Sequence, residues 1–97
     1  MASNFAITVH QNADNLHVRL QGDFDGNSAY ELLNTLERRC RFASRAFVHT
    51  SRLRHIDDFG RFIFHHHLDI LNGKCMPLVF TGDHADELAA EIRQLSR

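Results

Sequence analysis

Cysteine is scarce in this chain, and Cys40 and Cys75 lie far apart with no CxxC spacing, which excludes a disulfide scaffold or a redox pair and points to reduced thiols. Long apolar runs are missing too. None approaches the roughly 18 residues of a membrane span, and the opening MASNFAITV has neither the basic start nor the apolar core of a secretion signal. A cytoplasmic protein without direct membrane insertion is the expectation. Neither sign of charge dominates: 11 basic and 12 acidic side chains leave a formal net charge of -1. Such a balance gives no broad field to attract nucleic acid or an anionic membrane.

Linkers, internal repeats and low-complexity tracts are absent as well. Residues 1–97 therefore read as a single domain, and 43% hydrophobic residues suffice for one core. A chain this short buries somewhat under ~70% of its unfolded surface. There is no glycine-rich phosphate loop, and Asp57 and Asp58 are adjacent instead of facing one another across a substrate, so no enzyme and no cofactor are expected. The segment GDFDG resembles a calcium loop only at its start, because no glutamate follows at the twelfth position.

What is present is a regular alternation of elements. Phe5, Ile7 and Val9 alternate with Ala6, Thr8 and His10, and Leu16, Val18 and Leu20 alternate with His17, Arg19 and Gln21. This period of two predicts two half-buried strands joined as a hairpin through Asn12 to Asn15, where Asn and Asp favour a turn. From Asn27 to Cys40 the positions Ala29, Leu32, Leu33, Leu36 and Cys40 share one helical face, with Asp25, Gly26, Asn27 and Ser28 as cap candidates. Arg38, Arg39 and Arg41 suit the negative end of that helix.

The short run Ala46, Phe47 and Val48, ending in His49 and Thr50, reads as a strand buried on both faces. A second helix is predicted from Asp58 to Asn72, stopped by Gly73, and another strand from Met76 to Thr81. Asp83 opens a last helical pattern carried by Ala85, Leu88, Ala89, Ile92 and Leu95. The order is ββαβαβα, an α/β fold with a mixed sheet covered by helices and right-handed crossovers.

Three segments carry a family resemblance. VRLQGDFDGNSAYELLNTLE, AFVHTSRLRHIDDFG and GKCMPLVFTG, in this order and spacing, resemble a STAS domain, the fold of bacterial anti-sigma factor antagonists and of the cytoplasmic tails of sulphate transporters. The likeness covers nearly the whole chain. Gly22 and Asp25 match the family's first turn, and Asp57 and Gly60 match the outer residues of its Asp-Ser-Ser-Gly turn. The first serine of that turn, which an anti-sigma kinase phosphorylates in regulated antagonists, is replaced by Asp58, the second serine by Phe59, and His49 stands where the family often has an acid.

The resemblance implies a bacterial, non-catalytic interaction module of transcription regulation. Its implied partner is an anti-sigma factor or related regulatory ATPase, bound through Asp25, Asp57, Asp58, Phe59 and Gly60. Without a hydroxyl at 58 or 59 the usual phosphorylation cycle has no acceptor there. Aspartate carries about one charge against roughly 1.5 to 2 for phosphoserine, so Asp58 is at best a partial mimic. The other reading of both acids is local: Asp57 as helix cap, and Asp58 in the first turn, where a carboxylate gains ~0.3 to 1 kcal/mol. Phe59 either packs inward or anchors a partner, and Gly60 either admits a partner's backbone or relieves crowding.

Two alternatives accompany this reading. Small STAS subunits also serve lipid-transporting ABC complexes, with the transporter ATPase as partner. Eight histidines, with FHHHLD the densest stretch, raise a metal or ligand sensor. Residues adjacent on a helix point roughly 100 degrees apart, so His65, His66 and His67 cannot share one ion; only His65 or His66 with Asp69 share a face, and no metal site is expected. His67 is the one expected to pack against the sheet, while His49, His55 and His84 could converge in space. A homodimer is a further expectation, because a chain that ends with its third helix, where many STAS domains continue, would expose an edge or a helix face.

Overall fold

The structure is a computed structural model that describes residues 4–39, 42–74 and 77–88, with side chains described outside 68–74. Its elements are β1 (Ala6–Asn12), β2 (Asn15–Phe24), α1 (Gly26–Arg38), β3 (Arg45–Ile56), α2 (Asp58–Lys74) and β4 (Leu78–Thr81). A helical turn at 85–88 follows. The strands form one mixed sheet in the order β1-β2-β3-β4, antiparallel between β1 and β2 and parallel elsewhere. This is the α/β arrangement that the alternation predicts. Cys40, Arg41, Cys75, Met76 and the remaining stripe positions Ala89, Ile92 and Leu95 lie outside the described residues.

The hairpin closes where Asn12 pairs with Asn15, and Ala13 takes φ 56 in the turn. Period-two patterning then sorts each strand's side chains between two faces. Leu16, Val18, Leu20 and Phe24 of β2, with Ala46 and Val48 of β3, are fully buried on one face. Against it pack Ala29, Leu32, Leu33 and Leu36 of α1 and Ile63 and Phe64 of α2. Burying a side chain of this size contributes about 1.5–3 kcal/mol. Edge-to-face ring pairs run through this layer from Phe5 to Phe24 (5.9 Å), Phe24 to Phe64 (6.1 Å) and Phe64 to Phe80 (5.9 Å).

Three expectations are corrected. β3 is not buried on both faces: Ala46, Val48 and Thr50 are buried, but the intervening Phe47 and His49 are only half-buried, because both helices lie on the other side. Its length also exceeds the apolar run, since Arg52, Leu53, His55 and Ile56 continue to pair with β2. α2 runs through Gly73 to Lys74 instead of stopping at Asn72. A glycine within a helix costs about 0.5–1 kcal/mol relative to alanine, which is no obligatory stop.

Candidate functional site

β2 and β3 end side by side, with Phe24 in register with Ile56 and the Asp57 N–H donating to the Phe24 carbonyl at 2.8 Å. Both helices therefore begin at one corner of the molecule. The five residues Asp25, Asp57, Asp58, Phe59 and Gly60 come together there.

Asp25 is the N-cap of α1: its Oδ1 accepts from the Ser28 N–H at 2.9 Å and the Ser28 hydroxyl at 3.0 Å. The Ser28 backbone bond, helped by the Ser28 hydroxyl and working against partial burial, holds the Asp25 carboxyl below its usual range. Asp57 plays the corresponding part for α2, its Oδ2 accepting from the Phe59 N–H at 3.2 Å while its carbonyl accepts from the Arg61 N–H at 3.0 Å. Asp58 points to solvent, its side chain 91% exposed, and meets an Arg61 guanidinium nitrogen at 2.7 Å. Arg54, at the end of β3, reaches Asp23 at 3.5 Å.

Gly60 is buried against Asp25, so its contact is internal: it lets the first turn of α2 approach the start of α1. Phe59 is 61% exposed and lies over Gly26, where an added Cβ would stand 2.9 Å from its ring carbons. One helical turn on, Phe62 is 62% exposed, and its ring stacks on His66 at 5.8 Å. Phe62 had no expected role, and Gly26 was expected only as a cap candidate. The spacing of Phe59, Phe62 and His66 at i, i+3 and i+7 was the available signal for a shared helix face.

The remaining histidines separate. The His65 Nε2–H donates to the Leu88 carbonyl at 2.8 Å, tying the turn at 85–88 to α2. His67 does not pack on the sheet; its Nδ1–H donates to the Ile63 carbonyl at 3.1 Å and its ring meets Tyr30 of α1 edge-on at 5.7 Å. This follows from its place four residues after Ile63, on the α2 side that faces α1. The His84 N–H donates to the buried Thr50 hydroxyl at 3.1 Å, His55 pairs in register with Asp23, and His49 lies on the uncovered sheet face. Among the described residues no group of three His, Cys, Asp or Glu side chains could hold a metal ion, and the Asp69 side chain lies outside them. No described helix is long and apolar enough to cross a membrane.

His49 has other company. Its Nε2 lies 3.0 Å from Nδ1 of His17 and its Nδ1 lies 2.7 Å from the Thr81 hydroxyl. The His17 and His49 planes differ by 2° at a ring separation of 5.3 Å, which with the short N···N distance places the rings edge to edge. Burial, then the nearby His17 and Arg19, push the His49 pKa down. The hairpin turn gave a signal for part of this: pairing Asn12 with Asn15 also sets His10 opposite His17.

Solved structures share this architecture. The anti-sigma factor antagonist SpoIIAA in its unphosphorylated form superposes with a TM-score of 0.58 over 91% of this chain and 98% of its own, at 12% identity. An uncharacterized DUF3478-family protein from Shewanella loihica with a SpoIIAA-like fold gives 0.57 over 98% of this chain and 82% of its own, also at 12% identity.

The chain has the STAS-like fold.

The STAS-like fold also superposes on part of Mglu, in its native form in 4.3 M NaCl, with a TM-score of 0.71 over 86% of this chain at 16% identity. Two Mglu structures place it over 19% and 27% of the Mglu chain, so this chain spans about a fifth to a quarter of that protein. No protein-family model and no curated protein matches the sequence.

Proposed function

We propose that this STAS-like domain is a non-catalytic, cytoplasmic protein-interaction module that binds an anti-sigma factor or a related regulatory ATPase at the corner where α1 and α2 begin. The observation that carries this reading is the exposure of Phe59 and Phe62, 61% and 62%, beside the solvent-facing Asp58. Exposed aromatics on a rigid helix lose little conformational entropy on binding and are favoured interface anchors. Asp58 supplies a constant charge at the position of the family's serine, so the surface stays in one charge state without a kinase.

The test is affinity capture from source-cell lysate with wild type, Asp58→Ser and Phe59→Ala in parallel, with bound proteins identified by mass spectrometry. A kinase-type regulatory ATPase whose capture falls about tenfold with Phe59→Ala and changes with Asp58→Ser is the expected result. A transporter ATPase held equally by all three would overturn it in favour of an accessory subunit of a lipid-transporting ABC complex, with Asp58 left as a helix-start residue.

A further inference from the structure

The sheet face opposite the helices has chemistry that the corner does not use. Thr8, His10 and Asn12 of β1, His17 and Arg19 of β2 and His49 of β3 surround a concavity of ≈ 480 Å³. That size falls within the ~300–1,000 Å³ usual for small-molecule sites. Each of the six side chains can donate a hydrogen bond, and none is a carboxylate. Arg19 adds a permanent charge and a planar fork that matches an oxyanion, while the imidazoles supply flat, polarisable walls.

We propose that this concavity binds a small aromatic carboxylate, its oxyanion on Arg19 and its ring against His10 and His17. The proton inventory of the site follows from its geometry. One N–H fits between Nδ1 of His17 and Nε2 of His49, which lie 3.0 Å apart, and the far nitrogen of His49 is taken by the Thr81 hydroxyl. Two imidazolium rings would aim N–H at N–H, so the pair holds at most one added proton. A bound carboxylate stabilises that proton, and binding therefore takes one up and tightens as pH falls. Among the described residues that line the concavity, the titratable or charged groups beside the pair are His10 from β1 and Arg19 from β2; on β4 the register neighbours of His49 and Phe47 are Thr81 and Val79, which do not titrate.

The test is an NMR titration of the intact chain with benzoate, acetate and benzylamine at pH 5.5 and 7.5, following amide and imidazole signals. Benzoate is expected to give saturable shifts clustered at Thr8, His10, His17, Arg19 and His49. Its affinity should be measurably higher at pH 5.5 than at pH 7.5, the direction that uptake of a proton by the imidazole pair requires. Acetate should bind at least roughly fivefold more weakly, for want of a ring, and benzylamine not at all. Arg19→Gln should weaken benzoate about tenfold or more. His10→Gln, at an exposed site outside the His17–His49 pair, should weaken it independently. An absence of saturation at pH 5.5, shifts centred elsewhere, or equal binding of benzylamine would overturn the proposal.

Discussion

Gly60 lies so close to Asp25 that a Cβ at position 60 would stand 2.7 Å from both the carbonyl carbon and oxygen of Asp25. Neither is the flexible end of a side chain, so relief requires the two helix starts to move apart. Gly60→Ala should therefore destabilise the domain by about 1–3 kcal/mol despite alanine's better helix propensity. For a chain this size each kcal/mol lowers the melting temperature by roughly 4–8 °C, which calorimetry reads directly. An unchanged melting temperature would show that α2 starts farther from α1 than described.

Asp25 should make stability fall in acid. Its carboxyl is held below the usual value near about 3.9, chiefly by the Ser28 N–H, so its contribution is complete above that unfolded value and is lost as pH drops through the lower folded one. Asp25→Asn keeps a capping oxygen without the titration. Urea denaturation at pH 7 and pH 3 should show a smaller acid loss for Asp25→Asn than for wild type, while Asp25→Ala loses about 0.5–2 kcal/mol already at pH 7.

His49 should act in a different window with the same sign. Its folded pKa is depressed by burial and by His17 and Arg19, so its contribution is complete above the ordinary value near about 6.5 and falls away below it. Melting temperatures between pH 8 and pH 5 should decline less steeply for His49→Gln than for wild type. Imidazole NMR should show the His49 pKa rising toward the ordinary value in Arg19→Gln.

Thr50 is fully buried, donates to the Thr81 carbonyl at 2.7 Å and accepts from the His84 N–H at 3.1 Å. Thr50→Val keeps the shape and removes the partner of both groups. The expected cost is about 1–3 kcal/mol by chemical denaturation, with faster amide exchange at His84 as the local signature.

The elements most legible in the sequence are those whose local signals agree. Alternation over β1 and β2 gave the hairpin, and the stripe Ala29, Leu32, Leu33 and Leu36 gave α1 with Asp25 among its cap candidates. The second half of β3 was illegible, because Arg52, Arg54 and His55 break the apolar run although the backbone continues to pair. A short run such as Ala46 to Val48 does not reveal whether one sheet face or two will be covered. That depends on both helices choosing the same side. The corner was legible as five residues, but which of them face outward was not, since Phe59 and Gly60 are neighbours with opposite exposure. The imidazole pair depends on the parallel register of β2 with β3, which no local pattern encodes.

β4 matches only Ala46 to His49 of the much longer β3. From Arg52 onward the described pairing of β3 is with β2 alone, and a strand flank left unpaired recruits a second chain readily. The residues placed along it are Arg52, Arg54 and His55, two of them permanent cations, and identical copies meeting there would bring like charges together. The polar sequence that concealed the end of β3 thus sets two cations along that stretch, one of them paired with Asp23, and neutralising Arg52 and Arg54 should trade solubility for self-association while leaving the hydrophobic core untouched.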